Sequence, residues 1–507
     1  MKDSVIIIGS GLGGLECGYV LARHGYQVTV FEQDTCIGGC LQTFRRKGSD
    51  GMLHSFDTGF HYVGGLDEGQ SLYPLFRYFG LLDLPWKRLD DGCADEVVFT
   101  GNSTRYPLPT GHDRFVERLS EIFPEQHDAL EEYTSFLKGV GDNIFRAFSP
   151  DGGMNSLFGR SAYSFLCGTI SDPVLRNVLS GSSLKLELDR GTLPLYEFAQ
   201  INNSFMQSSW RLGTDSVSGI SGGALIAGSL ASGIRRMGGE IRTGARVESI
   251  KVNADGTAAG VMVSSSSGAE AEFIPAAWII SDAHPSVTVD LIEECRAVRK
   301  IYRRRIGGLR NTRGIFTANI ILKPDTLPYQ NRNIFVHRTG EDLWSPEHGG
   351  SVMIHFYPDD RCIDLLSPMD SGWREDWAEA GPGHRGEEYE VLKREKLAGC
   401  LKLAEEGLAE VLGGRSLADC IDRVYTSTPL TWNSYTGTPH GSAYGVVKDW
   451  TNPMSTILSP RTPLPNLLMT GQSLNLHGIL GVSMTSVLTS SCIIGMEPLI
   501  SEILLNL

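Results

Sequence analysis

The chain opens on a short apolar run, Val5-Ile6-Ile7-Ile8, which stops at Gly9. So brief a run, β-branched and closed by glycine, predicts a strand buried on both faces. Beyond a glycine-rich turn, Leu15, Tyr19 and Ala22 recur at helical spacing until Gly25, and Gln27 to Glu32 reads as a second strand. Strand, helix and strand in that order imply parallel pairing through a right-handed crossover.

The pattern changes between residues 75 and 210. Phe115, Leu119, Ile122 and Phe123, then Leu130, Tyr133, Leu137, Val140 and Ile144, mark two amphipathic helices. Strand alternation is missing, so this stretch reads as a mainly helical insertion. From Gly222 strand–helix logic returns: a helix over Leu225 to Met237, strands near 240–242, 246–252, 259–263 and 271–274, and a buried strand at Trp278-Ile279-Ile280. Further on, 314–322 and 351–357 alternate like strands, 387–412 carries a long helical pattern, and Pro463 and Pro465 introduce the strand Leu467-Leu468-Met469. No repeat or low-complexity linker appears. The reading is an α/β fold: a discontinuous Rossmann-like domain of residues 1–75, 211–300 and 426–507, interleaved with an α+β substrate domain of residues 76–210 and 301–425.

Composition narrows the classes. With 507 residues the chain can bury a sizeable core, and 41% hydrophobic with 21% charged residues is ordinary for a globular protein. A net charge of −14 argues against nucleic acid and gives no help on anionic lipid. Ten scattered cysteines suggest buried free thiols in a reducing, cytoplasmic setting, and the short opening run does not resemble a signal peptide.

The chemistry begins at Gly9-Ser10-Gly11-Leu12-Gly13-Gly14, a G-x-G-x-x-G between strand and helix. Gly9 permits the tight turn, Gly11 lets the backbone approach a pyrophosphate, and Gly14 with Gly18 lets the helix lie close to the sheet. The helix N-terminus offers free N–H groups to phosphate. Glu32, with Gln33 beside it, ends the next strand and is placed to bond a ribose hydroxyl.

Gly38-Gly39 follows, then Ser55-Phe56-Asp57-Thr58-Gly59-Phe60-His61-Tyr62-Val63-Gly64, the stretch Gly222-Gly223-Ala224 leading to Ala245-Arg246-Val247, and the closing Asn466 to Gln472, His477-Gly478 and Gly481-Val482-Ser483. Together these resemble the FAD-dependent phytoene desaturase, carotenoid isomerase and retinol saturase family of the amine-oxidase-type flavoproteins. The resemblance implies FAD as cofactor, the glycine pair near its phosphates, a backbone contact from Val247 to adenine, and Gly471 and Gln472 at the pyrophosphate and ribityl chain. It also implies that Gly481 to Ser483 open a helix facing the flavin N1–O2 edge. In that superfamily a basic residue follows the glycine pair. Here Cys40 does, with Arg45 and Arg46 as the available substitutes. Cys36 and Cys40 straddle the pair and read as packing residues rather than a redox dithiol.

His61 and His477 are the catalytic candidates, since changing a carbon–carbon bond also moves a proton. They and Tyr62 suit a structural hydrogen bond equally well. Tyr435, His440 and Tyr444 lie in a glycine-rich stretch that either borders the substrate cavity or is a surface turn. His337, His348 and His355 lack metal-ligand spacing, and no metal is expected. Gly219 to Gly223 is not a hydrolase elbow. No second dinucleotide fingerprint occurs, so the electron partner is a quinone, oxygen, a protein or a visiting nicotinamide.

The resemblance implies a hydrophobic polyene or isoprenoid-like substrate, saturated, desaturated or isomerised, with the helices of 115–148 as a tunnel wall or as plain core. Glutamates on those helices do not call for membrane binding, though peripheral contact stays open. Two rivals stand: an amine-oxidase-like flavoprotein, and a lipid carrier or escort of the Rab GDP-dissociation-inhibitor type.

Overall fold

A computed structural model describes residues 3–142, 144, 155–265, 270–345, 350–370 and 374–505. The apolar opening forms the strand Ser4–Ile8 in the middle of a five-stranded parallel sheet. Its order is Glu240–Arg242, Gln27–Phe31, Ser4–Ile8, Trp278–Ser281 and Leu467–Met469. Three separated stretches of chain therefore build one sheet. Helix Leu12–Arg23 packs between helices Gly223–Arg236 and Gly478–Ile494. Close approach explains the small residues here: a Cβ on Gly233 would come 2.5 Å from the Tyr19 ring.

A second, seven-stranded sheet runs Ile421–Ser427, Gly314–Leu322, Cys362–Met369, Ser351–Phe356, Asn333–His337, Asp95–Phe99 and Arg105–Leu108. The last two strands fall within residues 75–210, the stretch read as a mainly helical insertion without strand alternation. Asp95–Phe99 is buried at every position, so it shows no polar–apolar alternation.

Period two still divides the faces of this sheet. Phe316, Ala318, Ile320, Ile334, Val336, Ile354, Ile363 and Leu365 join Leu403 and Ala404 of helix Glu387–Gly407 in one apolar core. The alternate positions, among them Asn319, Asn333, His355 and Asp364, put buried polar groups on the other face. The long helix is also shorter than its pattern: it ends at Gly407, and Ala409–Leu412 continues as a separate turn. Among the described residues no helix is long and apolar enough to cross a membrane.

Candidate active site

The glycine turn is built as its spacing demands. Gly9 adopts φ +95°, a conformation L side chains rarely take, and a Cβ on Gly14 would meet the Gly9 carbonyl oxygen at 2.3 Å. A Cβ on Gly13 would stand 3.0 Å from the Gly471 amide nitrogen, so the first turn and the closing segment are pressed together.

Over this turn lies Asp282, which immediately follows the strand Trp278–Ser281. Its Oδ2 and Oδ1 would be 2.4 and 2.6 Å from Cβ atoms added to Gly11 and Gly13, and the backbone N–H groups of Gly14 and Gly11 act on it against the larger effect of burial. Burial pushes its carboxyl up to about 7, with the Glu32 charge adding to the effect. Sequence reasoning passed Asp282 over. The available signal was its place at the carboxyl end of a parallel strand, where open α/β sheets bind ligands. Glu32 accepts the Ser10 N–H at 2.9 Å, the Ser10 hydroxyl at 2.6 Å and the Asp34 N–H at 2.9 Å.

A cavity of about 440 Å³ starts here. Gly9, Gly11, Leu12, Gly13, Glu32, Gln33, Gly38, Gly39, Val247, Gly471, Gln472 and Val482 line it, as do His61, Tyr62 and His477. Gly14, Gly481 and Ser483 stand behind the lining. The closing helix begins at Gly478, one turn earlier than expected, so Gly478, Ile479 and Leu480 face the cavity. Ser483 is fully buried and spends its hydroxyl on Glu16.

Other expectations shift. Arg45 donates to the Gly219 carbonyl and Arg46 stacks on Phe44 and Tyr425, so neither substitutes for the missing base near the glycine pair. Cys36 and Cys40 are free thiols; Cys36 is exposed, against the expectation of burial, and Cys40 lines the cavity with its thiol pushed up by burial to about 11. Tyr435 and Tyr444 border the cavity while His440 does not. Phe115, Tyr133 and Leu137 are core, and the wall comes instead from Ile201, Ser204 and Phe205 of helix Leu195–Gln207. His337 bonds Ser351 and the Gly181 carbonyl, and His348 lies outside the described residues.

The two histidine candidates differ. His477 uses both nitrogens: Nε2 meets the Lys185 carbonyl at 2.8 Å, and Nδ1 lies 3.2 Å from Glu197 Oε1. His61 is buried with no hydrogen-bond partner on either nitrogen, Asp364 Oδ2 being 3.9 Å from Nδ1 and the His355 ring centroid 5.1 Å away. Burial, reinforced by the Arg211 charge, lowers His61 to about 4, so it is neutral at pH 7. Behind it, Tyr357 donates to Asp364 Oδ2 at 2.5 Å and Asn319 to Oδ1 at 2.7 Å, and burial pushes the Asp364 carboxyl to about 7.

Residues 7–79 match the NAD(P)-binding Rossmann-like domain family. Over 97% of its length the chain is 26% identical to the all-trans-retinol 13,14-reductase of Rattus norvegicus, of which it covers 86%. This chain is an oxidoreductase, similar to the all-trans-retinol 13,14-reductases. A 1-hydroxycarotenoid 3,4-desaturase of Flavobacterium sp. (strain P99-3) is 30% identical over 25% of this chain and 24% of its own. The cyclohexylamine oxidase of Brevibacterium oxydans IH-35A shares the fold, with a TM-score of 0.56 at 17% identity over 99% of both chains. The oxidoreductase thus joins a Rossmann-like dinucleotide-binding domain to a cavity whose wall on the seven-stranded sheet is Ile315, Met353 and Leu366.

Proposed function

We propose that this chain is an FAD-dependent oxidoreductase that saturates, desaturates or isomerises carbon–carbon double bonds of a hydrophobic polyene or isoprenoid-like substrate. The observation that carries the reading is one cavity reaching from the glycine turn to the face of the seven-stranded sheet, in a chain similar along nearly all its length to retinol reductases.

The residues present fit a flavin dinucleotide. N–H groups of Gly11 and Gly14 at a helix N-terminus, beside the Asp282 carboxyl, suit a diphosphate. Glu32 suits a ribose hydroxyl, and the start of helix Gly478–Ile494 suits the negative edge of a reduced ring. When bound, the flavin supplies a hydride acceptor or donor at N5. The protein's own part is to orient the substrate, exclude water and move a proton. Leu72, Ile201, Ile315, Met353 and Leu366 give the cavity apolar walls suited to a hydrocarbon. Neutral His61 can hold or pass a proton at a ring nitrogen, whereas His477 positions Lys185 and Glu197. The electron partner is external, and the setting we infer is cytoplasmic, with or without peripheral membrane contact.

Purified protein carrying flavin absorption, reduced anaerobically with dithionite and reoxidised by a polyene, is the expected result. A colourless protein that still binds lipid would establish the carrier reading, and peroxide release with amines the amine-oxidase one.

A further inference from the structure

Two cations lie around one buried carboxylate, Asp95, where Lys185 lines the cavity. Lys185 lines the cavity with its side chain 8% exposed, and its ammonium donates to Asp95 Oδ2 at 3.1 Å and Ser182 Oγ at 3.4 Å. Asp95 is heavily used already: Tyr62 donates to Oδ2 at 3.1 Å and Asn333 to Oδ1 at 3.0 Å. Through Asn333, whose Oδ1 accepts from Arg211 at 3.2 Å, the same carboxylate answers a second cation. Arg211 is 1% exposed and also donates to the Phe356 carbonyl; among the described residues no carboxylate lies within ion-pair distance of it.

Exposed Asp90 also acts on Arg211, and the buried neighbours add little negative charge. Burial and Arg211 keep His61 and His355 neutral. Asp364, pushed up to about 7, carries only part of a charge, and Glu197 faces His477. Arg211 and Lys185 against Asp95 leave a positive surplus in an enclosure where an uncompensated charge is strongly unfavourable. An ammonium has three N–H donors, and Lys185 spends two on Asp95 and Ser182. The Phe205 ring, 4.2 Å from Nζ, keeps the ammonium at the wall.

We propose that the cavity binds a carboxylate through Lys185, so that this chain takes polyenoic acids in preference to the corresponding alcohols. The inference rests on the polyene reading above and narrows it. It sets this chain apart from relatives named for an alcohol, retinol.

Quenching of tryptophan fluorescence by all-trans-retinoic acid, its methyl ester and all-trans-retinol tests the idea in the holoprotein. The acid should bind at least about tenfold more tightly than the ester or the alcohol, the worth of one desolvated charge contact. Lys185→Met should erase that preference, and Lys185→Arg should keep it. Equal affinities for acid and ester overturn the proposal, as does an undiminished preference in folded Lys185→Met. Should Lys185→Met fail to fold, the comparison of acid with ester in the unaltered protein decides. Binding of none of the three overturns the polyene reading itself and this inference with it, whereas alcohol binding without acid preference overturns only the inference.

Discussion

The Ser483 hydroxyl donates to Glu16 Oε1 at 2.6 Å across 467 residues of sequence, tying the first helix to the last segment that shapes the cavity. Both side chains are fully buried, and burial raises the Glu16 carboxyl from 4.5 to about 8. The fold therefore holds Glu16 protonated where the unfolded chain would ionise it.

Glu16→Gln removes that proton dependence. Stability of the parent protein should fall as pH rises from 4.5 towards 8, by about 1.4 kcal/mol per pH unit from this group. The Gln variant should lose less. Urea unfolding of both proteins at pH 5 and pH 8 checks this; a gap that does not widen with pH contradicts it.

Gly11→Val should abolish flavin retention. A Cβ there already meets Asp282 Oδ2 at 2.4 Å, and a branched side chain fills the approach a diphosphate needs. The flavin-to-protein absorbance ratio after purification measures the loss, and full retention would contradict the site assignment.

Asp282 lies beside the N–H groups of Gly11 and Gly14 that suit a diphosphate. Ionised above about 7, it should repel the diphosphate; protonated below, it should not. Affinity of the stripped protein for FAD should therefore rise as pH falls towards 7, by up to about tenfold per unit, and level off below it. Asp282→Asn should flatten that dependence and bind FAD more tightly at pH 8, as read by flavin fluorescence quenching.

His61→Ala should lower turnover by roughly a hundredfold if this group moves the proton, while flavin content stays unchanged. Because His61 is held neutral down to about 4, the parent pH–rate profile should show no histidine limb near 6.5. A limb there that disappears in the variant would show that His61 titrates normally.

Local pattern carried the parallel sheet well, because a short apolar strand, a glycine turn and an acid at the next strand end depend only on neighbours. Asp95–Phe99 escaped because burial on both faces leaves no alternation to read. The buried polar face of the seven-stranded sheet escaped for a different reason. Asn319, His355 and Asp364 come from three different strands and look like unremarkable strand residues until pairing puts them on one face. Likewise Lys185 and Asp95, and Arg211 and Asn333, meet only through tertiary packing. Of the two histidines legible in motifs, sequence could not distinguish one with free nitrogens from one with both nitrogens engaged.

The parallel sheet is finished by Leu467–Met469, so it is complete only after most of the polypeptide has left the ribosome. Until then Ser4–Ile8 and Gln27–Phe31 can pair with each other, yet Trp278–Ser281 and Leu467–Met469 are still to come. Such long-range closure is slow and leaves apolar edges uncovered meanwhile. On the proposed flavin reading, the cofactor loads onto the completed sheet, and flavin supply should govern how much of the newly made protein survives.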